Sequence, residues 1–271
     1  MKRLEGRVAV ITGAASGIGR ELGVQLAKEG CDLALADINE KGLMETAQVV
    51  SPLGRKVSTH FIDVSHRMSM EEFPEEVMAE HGRVHLLINN AGAAVIDTFE
   101  NGGLDDFTWL MDVNFWGVVY GCKFFLPYLR EGDDAHIVNI SSLFGLIGIP
   151  GQVGYCSSKF AVRGFTEALR AELAGTRVSV SVVHPGGVRT NIVRNARFHK
   201  SFHGWTREDN IRKFDEKFAP TKASEAAAKI IKGVKKNSGR IIVGRDAWML
   251  DQIIRTFPLR VQSVLRWMTN R

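Results

Sequence analysis

Residues 7–19 read RVAVITGAASGIG, a continuous apolar run that ends at Thr12 and enters a glycine-rich turn. The residues that follow, RELGVQLAKEG, have the apolar spacing of a helix. Glycine lets a backbone turn tightly and approach a pyrophosphate closely, while the N–H groups and positive dipole end of a helix attract that anion. The stretch therefore predicts a strand, an anion-binding turn and a helix in that order. The residues predicted to form the binding turn are Gly13, Ser16, Gly17, Ile18 and Gly19.

The glycine spacing G-x-x-x-G-x-G differs from the common G-x-G-x-x-G fingerprint, so a purely structural turn is a competing interpretation. A second apolar run ends at Asp37, eighteen residues after Gly19. An acid at that place binds the ribose hydroxyls of a dinucleotide and repels a 2′-phosphate. The pattern predicts NAD(H) as the favoured cofactor. NADP(H) stays open because Arg20, Lys41 and Arg55 are close in sequence.

Apolar runs of strand length recur along the chain and alternate with segments of helix length. Most of the runs are continuous and rich in β-branched residues, which suits strands that are buried on both faces. The alternation predicts a single-domain Rossmann-type α/β fold, a doubly wound parallel sheet of about seven strands with helices on both faces. Ligands bind beyond the carboxyl ends of the strands in such sheets. The predicted strands span residues 7–12, 32–37, 56–64, 84–89, 135–141, 177–184 and 240–244.

The composition is that of an ordinary globular chain. The 271 residues are 45% hydrophobic and 24% charged, which excludes a disordered or fibrous protein. The apolar stretch near the N-terminus is too short and too rich in glycine for a signal peptide or a membrane span, so a cytoplasmic location is predicted. The 3 cysteines are widely spaced and lack a C-x-x-C pattern, so neither a disulfide framework nor a metal site is predicted.

Basic residues are concentrated in the C-terminal third of the chain. Residues 1–187 hold 16 Lys and Arg against 23 Asp and Glu, whereas residues 188–271 hold 19 against 7, a net charge of +12. This excess fits either a solvated, lysine-rich helix face or a surface for an anionic partner such as a membrane. No nucleic-acid-binding motif accompanies it, so nucleic acid is not a predicted partner.

Tyr155 and Lys159 lie four residues apart in YCSSKFAVRGFTEALRAEL, a stretch of helical period, so both side chains project from one face. An ammonium about 5 Å from a phenol, at an effective dielectric constant of about 20, is expected to lower the phenol pKa from about 10 towards 8. Tyr155 is thus predicted to act as a general acid and base. A surface pair of helix neighbours is the competing interpretation.

Ser142 and Asn114 are weaker candidates when each is taken alone. Ser142 lies thirteen residues before Tyr155, just beyond a predicted strand, where its hydroxyl either hydrogen-bonds a substrate oxygen or caps a turn. Asn114 lies in a predicted helix interior, where asparagine is a mediocre helix former and is more often a solvated residue. Its suggested use is to hold a water that connects Lys159 to solvent as a proton relay.

Taken together, these signals resemble the short-chain dehydrogenase/reductase (SDR) family in both order and spacing, over roughly residues 5–245. The glycine spacing that departs from the common fingerprint is this family's own. The signals are TGAASGIG (12–19), Asp37, Asp63 with Val64, NNAG (89–92), Asn114, SS (141–142), YCSSK (155–159) and HPGGVRT (184–190).

The resemblance implies a catalytic tetrad of Asn114, Ser142, Tyr155 and Lys159, in which Lys159 also holds the nicotinamide ribose. It implies that Tyr155 and Lys159 therefore count among the cofactor contacts, and that the protein is a homodimer or homotetramer. The other implied cofactor contacts are Asp63 and Val64 at the adenine, Asn90, Ala91 and Gly92 along the cleft, and Pro185, Val188 and Thr190 at the nicotinamide.

These inferences predict an oxidoreductase that moves a hydride between a nicotinamide dinucleotide and a secondary alcohol or ketone, with Tyr155 as general acid and base. The segment SSLFGLIGIPGQVGY (141–155) carries no charge, so the expected substrate is apolar and fairly bulky. Two alternatives remain. One is a membrane- or carrier-associated reductase of lipid, steroid, retinoid or acyl-carrier substrates, and the other is a non-catalytic dinucleotide-sensing module.

The departures from the family lie near the C-terminus. Residues 1–246 are predicted to form the dinucleotide-binding and catalytic domain, with a basic substrate lid at about residues 190–220. Residues 247–271 form a predicted amphipathic extension, whose apolar stripe must be buried against its own domain, a second subunit or a membrane interface. The first half of that stripe is Trp248, Leu250, Ile253, Ile254 and Phe257, and the second half is Leu259, Val261, Val264, Leu265 and Met268.

Overall fold

A parallel sheet forms the centre of the fold in residues 1–258, the part of the chain that the computed structural model describes. The strands are β1 (Val8–Thr12), β2 (Asp32–Asp37), β3 (Val57–Phe61), β4 (Leu86–Asn89), β5 (Val95–Ile96), β6 (Ala135–Ile140), β7 (Val178–Pro185), β8 (Arg197–Phe198) and β9 (Arg240–Val243). Seven of them pair in the order β3-β2-β1-β4-β6-β7-β9, every neighbouring pair being parallel. The predicted doubly wound fold is confirmed, and each of the seven predicted strands is present.

The strand order reverses between β1 and β4, because β2 and β3 extend the sheet to one side of β1 and the later strands extend it to the other. A crevice opens at such a reversal, at the carboxyl ends of the strands. The third strand is shorter than predicted and ends at Phe61. The chain leaves the sheet there because Asp63 closes a turn, with its Oδ1 accepting hydrogen bonds from the N–H and hydroxyl of Ser65 at 2.9 and 2.7 Å.

Helices cover both faces of the sheet. The helices are α1 (Gly17–Lys28), α2 (Glu40–Val50), α3 (Arg67–His81), α4 (Leu104–Met111), α5 (Gly117–Glu131), α6 (Val153–Glu172), α7 (Arg207–Lys213), α8 (Ala223–Lys235) and α9 (Arg245–Thr256). Apolar residues of α1, α2 and α8 pack on one face, and those of α3, α5 and α6 pack on the other. Each face therefore has its own buried core, which explains why the central strands β1, β4 and β6 are buried along their whole length.

Helices from opposite ends of the sequence form one of these layers, since α1 packs along α8. The Gln25 side-chain amide donates a hydrogen bond to the Ser224 carbonyl at 2.8 Å. The Lys235 ammonium lies 2.7 Å from a carboxylate oxygen of Glu29. The helix layer over the N-terminal half of the sheet is thus completed by a helix from the C-terminal third.

The predicted lid contains a short strand and a helix. β8 pairs in parallel with β5, which follows β4 at the carboxyl edge of the main sheet. Asp106 of α4 accepts a hydrogen bond from Arg197 at 2.6 Å, and its other carboxylate oxygen lies 2.5 Å from His199 Nε2. The Arg197 guanidinium also lies 3.5 Å from the centre of the Trp109 ring. The start of the lid is therefore tied to α4.

The predicted C-terminal extension begins inside α9. Ala247 and Asp251 are buried, and Asp251 accepts a hydrogen bond from Arg240 of β9 at 2.5 Å. Of the predicted apolar stripe, Leu250 and Ile254 are partly buried, whereas Trp248, Ile253 and Phe257 are exposed. The second half of the stripe, residues 259–271, lies outside the described residues.

No helix within residues 1–258 has both the length and the apolar character that a bilayer crossing requires. All three cysteines, Cys31, Cys122 and Cys156, are buried thiols without a disulfide partner.

Candidate active site

The glycine turn after β1 has no room for a side chain at Gly13 or Gly19. Gly13 has a φ of +66°, and a Cβ added there would lie 2.8 Å from the Cα of Ala91. A Cβ at Gly19 would lie 2.1 Å from the carbonyl oxygen of Gly13. Ser16 occupies the N-cap of α1 without using its side chain for a capping hydrogen bond, so its hydroxyl is free for another partner. The side chain of Ile18 packs against the hydrophobic core, so this residue can contribute to the turn only through its backbone.

The segment after β4 holds the turn in place. Thr12 Oγ1 accepts hydrogen bonds from the N–H groups of Asn90 and Ala91, at 3.0 and 3.1 Å. The Asn90 amide donates in return to the carbonyl oxygens of Thr12 and Gly13, at 2.9 and 3.1 Å. Asn90 therefore supports the cleft through its contact with the turn, and its side-chain hydrogens have protein partners.

Asp37 lies at the carboxyl end of β2, next to the glycine turn. One carboxylate oxygen accepts a hydrogen bond from the Ala15 N–H at 2.8 Å, and the other accepts one from the Asn39 N–H at 2.9 Å. Two such bonds fix the orientation of the carboxylate while leaving lone pairs for a ligand. The structure thus brings Asp37 to the turn, as the sequence predicted.

Asp63 and Val64 lie beyond the end of β3. Asp63 is exposed and closes the turn through Ser65, whereas Val64 is buried against Gly117 at the start of α5. A Cβ at Gly117 would lie 2.9 Å from a Val64 methyl group. The two side chains therefore differ in accessibility, and Asp63 is the one that faces solvent.

The opposite wall of the cleft follows β7. Pro185 and Val188 are buried, and the methyl group of Thr190 lies over Gly17, where an added Cβ would be 3.0 Å away. Asp246, in the first turn of α9, accepts a hydrogen bond from the Gly187 N–H at 2.7 Å. Sequence reasoning missed Asp246. A long-range contact of this kind leaves no local signal, apart from an acid placed just after a strand and a glycine.

Tyr155 and Lys159 share one face of α6, as predicted, and the Lys159 ammonium lies 5.7 Å from the centre of the Tyr155 ring. Lys159 is only 3% exposed, and its ammonium donates a hydrogen bond to the Ile140 carbonyl at 3.1 Å. The Ser141 hydroxyl donates to the Lys159 carbonyl at 2.7 Å. These two bonds fasten α6 to the end of β6, and so they fix both side chains relative to the sheet.

Burial dominates the acid–base properties of the pair. It raises the pKa of Tyr155 to about 12, against a smaller opposing effect of the Ser142 side chain. It also lowers the pKa of Lys159 to about 8. The predicted depression of the phenol pKa by Lys159 is therefore wrong for this arrangement, because the desolvation of the phenol outweighs any attraction from an ammonium that is directed at Ile140.

Ser142 lies two residues after the end of β6, and hydrogen bonds hold both its side chain and its carbonyl group. Its hydroxyl oxygen accepts a hydrogen bond from the Phe144 N–H at 3.1 Å, and its carbonyl oxygen lies 3.0 Å from His184 Nδ1. Burial lowers the pKa of His184 to about 4, so the ring is neutral at physiological pH and donates through Nδ1–H. The Ser142 hydroxyl retains its own proton for a further acceptor.

Asn114 lies in a π-helical turn, Asp112–Trp116, between α4 and α5 rather than in a regular helix interior. It is fully buried. Its Oδ1 accepts from the Ala93 N–H at 2.8 Å, and its Nδ2 donates to the Ala93 carbonyl at 3.0 Å and to Ser158 Oγ at 3.1 Å. Both amide hydrogens have protein partners, which leaves one lone pair of Oδ1 for a water. Single π turns inside α-helices occur frequently at functional sites.

Gly92 lies where the segment that holds the glycine turn meets the catalytic candidates Asn114 and Lys159. It is exposed, and a Cβ added there would lie 3.1 Å from Asn114 Oδ1 and 3.3 Å from the Lys159 ammonium. The cleft that begins at the glycine turn therefore leads past Gly92 to Tyr155 and Lys159.

Apolar side chains surround Tyr155. Three lid residues, Ile192, Val193 and Phe198, pack with it around a small cluster that includes Ile96. The ring of Phe144 meets the Tyr155 ring edge-on, with 6.2 Å between centroids. Of the uncharged segment that precedes Tyr155, Leu146 and Ile147 are core residues, and Leu143, Phe144 and Ile149 are partly exposed.

Residues 7–201 match the sequence profile of the family described as short chain dehydrogenase. The chain belongs to the short-chain dehydrogenase/reductase family. This SDR is accordingly an oxidoreductase, and the resemblance drawn from its motifs is confirmed.

Named relatives and a solved structure agree with this assignment. SadH of Mycobacterium tuberculosis, a protein named as an oxidoreductase, is 43% identical over 267 residues, which cover 98% of this SDR and 96% of SadH. FabG of Thermotoga maritima, named as a 3-oxoacyl-(acyl-carrier-protein) reductase, is 36% identical over 188 residues, covering 69% of this chain and 76% of FabG. The crystal structure of an SDR from Burkholderia phymatum in complex with NAD matches with a TM-score of 0.86 at 28% identity, covering 97% of this chain and 96% of that one.

Proposed function

We propose that this SDR interconverts an apolar, fairly bulky secondary alcohol and its ketone, with NAD(H) as cofactor and Tyr155 as general acid and base. The observation that carries the proposal is the convergence of Tyr155, Lys159 and Ser142 at the end of a cleft that starts at a glycine turn. A non-catalytic sensing module has no need for these three groups at the deep end of its cleft.

The residues of the cleft fit a nicotinamide dinucleotide. The glycine turn is a cradle that side chains at Gly13 or Gly19 would fill, and it ends in the N-terminus of α1, which favours a pyrophosphate. Asp37 would hold the adenosine ribose, and Asp63 and Val64 would flank the adenine. Pro185, Val188, Thr190 and Lys159 would meet the nicotinamide half. The cofactor, when bound, supplies or accepts the hydride.

The protein's part of the reaction follows from the protonation states of its side chains. A pKa of about 12 keeps Tyr155 protonated at neutral pH, so its hydroxyl can donate first a hydrogen bond and then a proton to a ketone oxygen. Ser142 offers a second hydroxyl to the same oxygen, which orients the carbonyl. Lys159, with a pKa of about 8, is mostly charged at neutral pH and stabilises the phenolate that remains. In the direction of oxidation the proton moves the opposite way: the phenolate form of Tyr155, a minor species at neutral pH, accepts the alcohol proton.

NAD(H) is proposed over NADP(H) because of the charges around Asp37. Arg20 is committed to the Ala15 carbonyl at 2.6 Å and to Glu45 at 3.0 Å. Arg55 donates to the Gly30 carbonyl, close to the start of β2 and so at the far end of that strand from Asp37. Neither arginine is free to meet a 2′-phosphate, and the Asp37 carboxylate would repel one. The third nearby base, Lys41, is exposed in the first turn of α2, and we expect the fixed Asp37 carboxylate to outweigh it.

Replacing Asp37 with alanine is expected to shift the coenzyme preference towards NADP(H). Loss of the like-charge repulsion should raise the ratio of kcat/KM with NADPH to kcat/KM with NADH by about tenfold. Steady-state kinetics with both coenzymes measures the ratio. Glu40→Ala removes an exposed carboxylate from the first turn of α2 and serves as the matched control, which should leave the ratio unchanged. A wild-type preference for NADPH, or an unchanged ratio in the Asp37 variant, contradicts the proposal.

The apolar surroundings of Tyr155 make a graded ketone series the test of substrate class. Four additional buried methylenes contribute about 3 kcal/mol, so kcat/KM for 2-octanone should exceed that for 2-butanone by about a hundredfold. Pyruvate, as a small charged control, should be turned over poorly, because the Asp106 carboxylate already occupies Arg197 and His199. Equal rates along the series, or a preference for pyruvate, would reject an apolar pocket.

The second candidate function is reduction of a carrier- or membrane-associated lipid substrate. Two observations favour it: the +12 charge of the C-terminal third and the similarity to a protein named as a 3-oxoacyl-(acyl-carrier-protein) reductase. The same hydride and proton transfers would take place, and the substrate would differ only in the lipid or carrier group attached to its ketone. A 3-oxoacyl thioester included in the ketone series separates the two candidates by its kcat/KM.

A further inference from the structure

The outward face of α9 presents large apolar side chains to solvent. Trp248 and Met249 are 58% and 57% exposed, and Ile253 and Phe257 are 40% and 54% exposed. The inward face is used by the domain, because Ala247 and Asp251 on that side are buried. Single exposed apolar residues are common on soluble proteins, but four within ten residues of one helix and its C-terminus form a patch that marks a contact surface.

The charge of this outward face is entirely positive. Both acids of α9 point inward and have partners, Asp246 at the Gly187 N–H and Asp251 at Arg240. Arg245 is exposed, and the Arg255 side chain is 65% exposed with only a 3.8 Å contact to Asp251. Residues 259–271, which lie outside the described residues, have the sequence LRVQSVLRWMTNR, with three arginines and no acid.

α9 also starts at the edge of the sheet where the active site lies. It follows β9, whose carboxyl end is at the same edge as those of the other parallel strands. Its Asp246 binds Gly187, and a Cβ added to Gly187 would collide with the carbonyl of Phe218, a lid residue that is 53% exposed. Asp246 and Phe218 thus approach the same glycine, which places the start of α9 close to the predicted lid.

We propose that α9 docks this SDR on an anionic lipid surface, with Trp248, Met249 and Ile253 entering the headgroup region. A helix face that carries tryptophan and aliphatic residues among arginines, and no acid, has the composition of an interfacial helix. A symmetric contact between two copies would place the same patch on both sides and bring the arginines of one copy towards those of the other. Anionic headgroups neutralise those arginines instead.

Cosedimentation of the full chain with lipid vesicles tests this proposal without any substrate, so it is independent of the proposed reaction. The protein should bind vesicles that contain phosphatidylglycerol mixed with phosphatidylcholine. It should not bind vesicles of phosphatidylcholine alone, which carry no net charge. The double variant W248S/M249S should bind about tenfold more weakly. Arg245→Glu, which reverses one exposed charge, should also weaken binding by about tenfold. The matched control V49S/M68S removes two apolar side chains that are 53% and 71% exposed on α2 and α3, and it should bind like the wild type.

Three results would overturn the proposal: a wild-type chain that does not bind the anionic vesicles, a W248S/M249S variant that binds as well as the wild type, or a control that loses binding to the same extent. Light scattering is the companion measurement. A particle that becomes smaller in W248S/M249S, with vesicle binding unchanged, would assign the face to a second copy of the chain. An unchanged melting temperature and circular dichroism spectrum establish that the α9 variants are folded.

Discussion

Tyr155→Phe is expected to lower kcat by about a thousandfold, the middle of the range for loss of a general acid or base. The substitution removes only the phenolic oxygen, so the ring keeps its contacts with Phe144 and with the lid. Dinucleotide affinity, measured by fluorescence titration, should stay within about threefold of wild type, a difference below about 1 kcal/mol.

Tyr128→Phe is the matched control, because it removes the same hydroxyl from α5 and should leave kcat unchanged. Retention of more than about a tenth of wild-type turnover by Tyr155→Phe would contradict the proposed mechanism. The hydroxyl would then contribute less than about 1.4 kcal/mol to the barrier.

Gly19→Ala is expected to weaken dinucleotide binding by about a hundredfold, the equivalent of roughly 3 kcal/mol of steric strain. The added methyl group would lie 2.1 Å from the Gly13 carbonyl and 2.6 Å from the Asn90 amide. The Asn90 amide holds this turn by hydrogen bonds to the carbonyl oxygens of Thr12 and Gly13. Relief of the clash must therefore move the turn or break these hydrogen bonds. Isothermal titration with NAD(H) measures the loss.

Gly23→Ala gives the control for that experiment from the next turn of the same helix. A Cβ at Gly23 would have its nearest neighbour, a methyl group of Leu35, at 3.5 Å, an ordinary contact. Alanine is the better helix former by about 1 kcal/mol, so this variant should melt at the same temperature or higher and bind NAD(H) normally. Equal affinities in the two variants would show that the turn tolerates a side chain.

Strands and turns were predictable because their signals are local. A β-branched run such as residues 7–12 has to be a buried strand whatever follows it, and each predicted run became a strand of the parallel sheet. The acid at Asp37 was also predictable, because its distance along the chain from Gly19 reflects one helix and one strand. The structure brings it to the turn through the Ala15 N–H.

The details that escaped sequence reasoning are long-range or collective. Nothing near Asn114 specifies a π turn, which depends on how α4 and α5 meet above Ala93 and Ser158. Asp246 accepts a hydrogen bond from the N–H of Gly187, which lies 59 residues earlier in the sequence. The pKa of Tyr155 depends on burial by the whole domain, so a pairwise estimate from the spacing to Lys159 gave the wrong direction.

The packing of α1 along α8 has a consequence for how the chain folds. The side of α1 that packs along α8 cannot be covered until residues 223–235 have been made, although α1 and its neighbouring strands leave the ribosome first. Contacts that close such long loops form late and slow the folding of parallel sheets. We therefore expect that a nascent chain ending near residue 200, with every proposed cofactor-binding residue in place, still exposes that helix face and is a chaperone client until α8 is synthesised.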